Sequence, residues 1–337
     1  MNTNDSKYKN FALVREMLRT PEIISHFDFG QTRRIVDSVR LTGRFFLTGE
    51  GSSRIFPAKR LIASVLGRGL DLTIATDGAR QSLEYDLSKW TVMGASNSGQ
   101  TKELITLFQK LATENHARLF GLTANAGTKL TEVSDSVILS CGKEEAVAAT
   151  MSVVEQALVY QSIEVGLADC RCGCTERKTE AGKLAAEVLA AEYDAGLIQK
   201  TAEAPVIYLA GRNNGVAEEL ALKTNEITRK RSQYLEGTIV VHGIEEVMNP
   251  EDVVILIEPF EQDAEFYKKN LVDGVGLTVI AISSTPTLFP TILIPSLARY
   301  NEYLQLLAGW NLLVQTGVAC GIDIDKPKRA RKVGNAF

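Results

Sequence analysis

Histidine is scarce in this chain, with three residues in 337, and cysteine is hardly commoner at five. So few soft ligands leave little from which to build a metal centre. Three of the cysteines form Cys170-Arg171-Cys172-Gly173-Cys174, but no His or further Cys lies nearby to complete a tetrahedral set. A reduced cluster on a loop at a domain junction is expected, and no metal site. Long uncharged apolar runs are also missing. The best candidates, 151–167 and 291–321, are interrupted by Glu155 and Glu164 and by Arg299 and Glu302, and both read as buried helices. The start, Met1-Asn2-Thr3-Asn4-Asp5-Ser6-Lys7, is polar and has no apolar export segment. A cytoplasmic protein without disulfides is therefore expected. Charge of one sign is lacking too. A net charge of -4 gives no bulk attraction to nucleic acid or to an anionic membrane, so neither is an expected partner. The local exception, Lys326 to Lys332, reads most simply as a solvated basic tail.

What is present is the composition of a soluble globular protein, 45% apolar and 23% charged, in a chain long enough for two domains. Short apolar runs alternate with helical patterns. The first set of strands is expected at Phe45 to Gly49, Asp71 to Thr76, Trp90 to Ser96, Arg118 to Ala124 and Ser136 to Ser140, with helices at about 52–66, 77–86, 100–114 and 144–168. A break at Asp169 to Arg177 is followed by an Ala-rich helical stretch, Lys178 to Gln199. A second set of strands follows at Val206 to Gly211, Gln233 to Glu236, Asp252 to Pro259, Gly276 to Ser284 and Thr291 to Pro295, with helices at about 214–231, 263–273 and 299–320. This alternation predicts α/β architecture with parallel sheets covered by helices. Phe46-Leu47-Thr48-Gly49 and Tyr208-Leu209-Ala210-Gly211 each close a strand before a helix, so the halves read as a repeat.

Four places carry chemistry. Gly49-Glu50-Gly51-Ser52-Ser53 is a glycine-bearing strand-to-helix turn, but it lacks the third glycine of a dinucleotide fingerprint, which argues against a nicotinamide cofactor. It could equally be a serine-capped turn. Ser96-Asn97-Ser98-Gly99-Gln100-Thr101 concentrates hydroxyl and amide groups between a strand and a helix start. Such a loop suits a phosphate dianion without a metal, or alternatively an elaborate helix cap. Glu219, Lys223 and Glu226 fall at i, i+4 and i+7 and share one helix face. By pattern alone a surface ion-pair ladder is the favoured account, and a proton shuttle the alternative. His242, in Val240-Val241-His242-Gly243, sits near a strand end, whereas His26 and His116 have no such context.

Taken together these residues resemble a known family, the tandem sugar-isomerase (SIS) domain proteins, and most closely the isomerase half of the glucosamine-6-phosphate synthases. The first loop of that family is similar to Glu50-Gly51-Ser52-Ser53, and its Ser-Gln-Ser-Gly-Glu-Thr to Ser96 through Thr101. Its Glu-x-x-Val-Ala-Ser-Thr resembles Glu144 through Thr150, and its Ala-Leu-Lys-x-Lys-Glu-Ile helix resembles Ala221 through Ile227. The loop around His242 and the tail Asp323 through Lys332 complete six motifs in order, covering about Val14 to Phe337.

The resemblance implies two tandem SIS domains of flavodoxin-like, doubly wound type. Residues 1–30 would form an N-terminal helical segment, 31–170 the first domain, 171–200 a linker helix, 201–320 the second domain and 321–337 an active-site tail. It implies that Gly51, Ser52, Ser96, Ser98 and Thr101 hold a sugar 6-phosphate, with Ser53, Asn97 and Val147 lining the sugar. It assigns Glu226 as the base that moves a proton between C1 and C2, and His242 as an aid to ring opening that reaches in from the partner of a homodimer. Lys223 and Glu219 would tune the base, and Lys332 would sit over the substrate carbonyl. An isomerase or isomerising deaminase of an amino-sugar 6-phosphate, needing no cofactor, is the leading expectation. A fructosamine 6-phosphate deglycase and a non-catalytic sugar-phosphate sensor are the alternatives. The departures are Glu50 in place of Cys, the lack of the family's Lys and Pro around His242, and no glutaminase domain ahead of the repeat.

Overall fold

The computed structural model describes residues 1–2, 4–168 and 173–331. All ten expected strands form, within two or three residues of the expected ends. Strands β1 (Arg44–Gly49), β2 (Thr73–Gly78), β3 (Thr91–Ala95), β4 (Leu119–Thr123) and β5 (Asp135–Ile138) build one sheet. Strands β6 (Val206–Gly211), β7 (Arg231–Glu236), β8 (Val253–Ile257), β9 (Thr278–Ser283) and β10 (Thr291–Leu293) build the other. Every pairing is parallel. The orders are β2-β1-β3-β4-β5 and β7-β6-β8-β9-β10, which are one topology used twice.

Parallel sheets are covered on both faces, and the strands show it. Each residue of β3, β4 and β8 is buried. That two-sided burial is why they read as unbroken apolar runs rather than alternating ones. In the first sheet, Phe46 and Val92 pack with Leu104 and Phe108 of the helix Lys102–Thr113. In the second, Tyr208, Leu256 and Val279 pack with Tyr267 and Leu271. Each such side chain contributes about 1.5–3 kcal/mol on burial.

The chain forms two compact units. One contains the first sheet and comprises Glu22–Glu145 and Ala149–Glu180; the other contains the second sheet with Met1–Pro21, Ala146–Ala148 and Ala181–Ala330. Several helices differ from expectation. The helix expected over 144–168 begins only at Met151, because the Glu144 carboxylate takes the backbone N–H of Thr150 at 2.7 Å and holds the preceding residues as a loop. The stretch from Lys178 is two helices, Cys174–Ala190 and Ala195–Glu203. Asp194 caps the second, accepting from Leu197 N at 3.0 Å. The expected helix at 77–86 shrinks to Ala79–Ser82, and that at 263–273 divides into Ala264–Tyr267 and a π-helical segment, Lys268–Val275. Among the described residues no helix is long and apolar enough to cross a membrane. Cys174 is buried at the start of its helix, whereas Cys170 and Cys172 lie outside the described residues.

Candidate functional site: a hydroxyl cradle and a buried ion triad

In an open parallel sheet, a cleft opens beyond the strand ends where the strand order reverses. In the first sheet that point lies between β1 and β3, which are neighbours with Gly49 opposite Ala95. The loops Gly49–Ser53 and Ser96–Thr101 therefore leave the sheet side by side. Gly49 lies hard against the neighbouring strand: a Cβ there would lie 2.7 Å from the Ala95 carbonyl oxygen.

The second loop is drawn into a ring of hydroxyls. Ser96 Oγ lies 2.8 Å from Thr101 Oγ1 and 3.4 Å from Ser98 Oγ. Ser96 Oγ also accepts from Gly99 N at 3.1 Å, and Ser98 Oγ from Gln100 N at 3.2 Å. Gly99 makes the turn possible, since its φ is +65° and an added Cβ would collide with the Thr128 hydroxyl. Thr101 is the N-cap residue of the helix Lys102–Thr113, yet its side chain makes no capping hydrogen bond and turns to Ser96 instead. The elaborate-cap account of this loop therefore fails at its central residue. Three hydroxyls converge beside the positive end of a three-turn helix, an arrangement suited to an oxyanion.

The loop is held from below. The Asn97 carbonyl accepts from Ala124 N at 3.1 Å, Thr123 Oγ1 at 3.1 Å and Asn125 Nδ2 at 2.8 Å. The Asn97 side chain donates to Glu144 at 3.0 Å. In the first loop, Gly51–Ser53 form a 3-10 turn with Ser52 and Ser53 half-buried. Glu50 does not face a ligand freely; its Oε1 accepts from Ala79 N at 2.9 Å.

In the other unit, the helix Val216–Lys223 runs into a π-helical turn, Thr224–Thr228, that carries Glu226. Lys223 Nζ lies 2.7 Å from Glu226 Oε2 and 3.2 Å from Glu219 Oε1. The side chains of Glu219 and Lys223 are 0% and 1% exposed, while that of Glu226 is 25% exposed. The surface ladder that the spacing favours is thus overturned: the helix packs against the buried helix Asn301–Ala319 and takes the charges inward. Burial alone would push the Lys223 ammonium down, but the facing carboxylates Glu219 and Glu226 outweigh it and hold its pKa above the usual lysine range. The triad presents one partly exposed carboxylate, backed by a fixed ammonium.

His242 is exposed in the turn after Ile239–Val241, its ring 6.3 Å from that of Phe266. Val147 is half-buried in the segment Ala146–Ala148, which groups with the second sheet. Lys332 lies outside the described residues. Glu144, Thr123 and Asn125 support the cradle and were not singled out for that role by sequence reasoning. Glu144 stood within a quoted motif; the other two left no signal.

No family model matches the sequence, and no curated protein matches it either. Solved structures do. The C-terminal domain of glucosamine-fructose-6-phosphate aminotransferase from Francisella tularensis superposes with a TM-score of 0.77 at 17% identity, covering 96% of this chain and 100% of that one. Tagatose-6-phosphate ketose/aldose isomerase from Escherichia coli gives 0.78 at 16% identity, over 97% and 99%. Glucosamine-6-phosphate deaminase from Thermotoga maritima gives 0.69 at 19% identity, over 95% and 98%. The chain has the tandem sugar-isomerase fold. The motif resemblance and the architecture thus agree over nearly the whole length, and identities below one in five leave the reaction to be argued from the residues.

Proposed function

We propose that this protein binds a sugar 6-phosphate at the Ser96–Thr101 cradle and is an aldose–ketose isomerase or isomerising deaminase of an amino-sugar 6-phosphate. The observation that carries the reading is the convergence of Ser96, Ser98 and Thr101 hydroxyls at the strand-order reversal, with Thr101 released from capping. In this reading the cradle anchors the phosphate and Glu226 moves the proton. Its carboxylate removes the C2 proton of the open-chain aldose, and the C2–H electron pair forms the C1=C2 bond of the enolamine while the C1 carbonyl oxygen takes a proton from water. The proton held by Glu226 returns at C1 as the amine gives one up to water. Water then hydrolyses the resulting C2 imine to the ketose, releasing ammonia. The Lys223 ammonium holds the Glu226 carboxylate in place at 2.7 Å. Val147 and Ser53 belong to the sugar-lining set, and His242 and Lys332 to ring opening and the carbonyl, in a homodimer located in the cytoplasm. The structural neighbours named for glucosamine 6-phosphate and for ketose/aldose isomerisation support this class of chemistry.

The test is incubation with glucosamine 6-phosphate, with ammonia and fructose 6-phosphate assayed together. Turnover that Glu226→Gln abolishes while phosphate binding persists supports the reading. Tight binding with no turnover of any hexosamine phosphate would leave a sensor in its place.

A further inference from the structure

The second sheet has the same reversal point, between β6 and β8, where Gly211 stands opposite Ile257 as Gly49 stands opposite Ala95. By register Glu258 is the counterpart of Ser96, and Ser283 and Ser284 are the counterparts of Thr123 and Ala124. A cleft of about 200 Å³ opens there, lined by Arg212, Asn214, Glu258, Asn301, Glu302 and Gln305. Topology makes it the counterpart of the first cleft. Its chemistry is reversed.

In the first unit, Thr123 Oγ1 and Ala124 N donate to the Asn97 carbonyl of the hydroxyl loop. In the second, no such loop exists: Glu258 is followed by Pro259 and Phe260, which bring no hydroxyl and, at the proline, no N–H. The donors instead converge on the Glu258 carboxylate. Ser284 Oγ reaches it at 2.8 Å, Ser284 N at 3.1 Å, Gln305 Nε2 at 3.2 Å and Ser283 Oγ at 3.3 Å. Glu258 adopts φ +46°, a left-handed conformation that an L residue holds only when its surroundings require it. Arg212 stacks on Phe260 at 4.3 Å and donates to the Glu258 carbonyl, closing the rim. A carboxylate that already takes these four donors repels an incoming dianion and leaves it none of the four.

We propose that Glu258 is an internal anion that closes the second cleft to phosphate, so that each chain takes a single sugar phosphate. The site left open is the Ser96–Thr101 cradle, and that half of the statement rests on the function proposed above. The second cleft is then a latent anion site, blocked by one side chain.

The experiment counts bound anions by calorimetry, with inorganic phosphate and fructose 6-phosphate as probes. Glu258→Gly suits the positive φ and frees four donors, and Glu258→Ser, the residue the first unit carries in this register, is the second variant. Each is measured alone and with Ser98→Ala and Thr101→Ala. Wild type should bind one phosphate per chain and lose it in the Ser98/Thr101 background. Glu258→Gly or Glu258→Ser should bind two, and keep one in that background. A wild type that binds no phosphate refutes the function assigned to the cradle, while a site gained in the Glu258 variants would still uphold this inference. Folded Glu258→Gly and Glu258→Ser proteins that gain no anion overturn it, as does a wild type holding a second phosphate indifferent to Ser98 and Thr101.

Discussion

Asn97 donates its side-chain amide to Glu144 at 3.0 Å, which ties the cradle loop to a carboxylate only 1% exposed. The same carboxylate accepts from Thr150 N at 2.7 Å and from Ser152 Oγ at 2.7 Å. Replacing it by Gln puts a donor where donors already converge. We expect Glu144→Gln to cost about 1–3 kcal/mol, read as a lowered midpoint in thermal unfolding at about 2–4 °C per kcal/mol. Phosphate affinity should fall with it, because Asn97 is the second residue of the loop. A variant as stable as wild type would show that the Glu144 hydrogen bonds carry no net weight.

Ser98→Ala and Thr101→Ala remove hydroxyls whose hydrogen bonds, to Gln100 N and to Ser96 Oγ, stay within the loop rather than on the helix behind it. Their stability should stay near that of wild type. Affinity for inorganic phosphate or fructose 6-phosphate should drop by about tenfold to a hundredfold for each, the loss of a hydrogen bond to a charged partner. Gly99→Ala behaves differently, because its φ of +65° and the Thr128 contact penalise any Cβ. It should lose both stability and binding. Unchanged calorimetric affinity in Ser98→Ala and Thr101→Ala would remove the cradle from the binding site.

Lys223 supplies a pH signature. Its pKa is raised in the folded state, as Glu219 and Glu226 outweigh the opposing effect of burial. The folded chain therefore holds this proton more tightly than the unfolded one. The contribution is present in full below the unfolded lysine pKa of about 10.4 and fades as pH rises beyond it. Tyr160 and Tyr193, raised by burial, lose stability over a similar alkaline range. The readout is therefore the difference between wild type and Lys223→Met in denaturant melts from pH 8 upward. At neutral pH, Lys223→Met takes the ammonium away from the buried Glu219 carboxylate and should cost about 3–5 kcal/mol. Lys223→Met with Glu219→Gln should recover part of that. Equal alkaline slopes in wild type and Lys223→Met would contradict the assignment.

The sheets were legible because two-sided burial turns each strand into an apolar run that composition alone reveals, as in Val253-Val254-Ile255-Leu256-Ile257. The hydroxyl loop was visible as a cluster between a strand and a helix, but only its geometry separates it from a helix cap, since Thr101 bonds to Ser96 instead of capping. Spacing alone favours a surface ladder for the triad for a physical reason: helical spacing fixes which residues share a face, but not whether that face meets water or another helix. Glu144 to Thr150 was misread because Ala146-Val147-Ala148-Ala149 has helical composition, while a tertiary hydrogen bond to Thr150 decides the local structure. Glu258 was invisible, since a carboxylate at a strand end looks the same whether it faces solvent or quenches a cleft.

Asp325 clamps the start of the chain from its far end. Its carboxylate accepts from Ala12 N at 2.7 Å and Leu13 N at 2.8 Å, across 313 and 312 residues. The helix Ala12–Met17 has Phe11 at its N-cap, which offers no side-chain acceptor, so Asp325 satisfies amide groups that would otherwise stay open. Asp325→Ala should destabilise by about 0.5–2 kcal/mol, the usual range for a lost cap. Because the clamp lies just ahead of Lys326, Lys328, Arg329 and Arg331, its loss should also speed tryptic cleavage there in limited proteolysis. If the tail brings Lys332 to the substrate carbonyl, turnover of glucosamine 6-phosphate should fall in Asp325→Ala while phosphate affinity at the cradle holds. Asp325→Asn, which keeps one acceptor oxygen, should lie between. Cleavage and turnover both equal to wild type would mean that the clamp serves neither the tail nor the reaction.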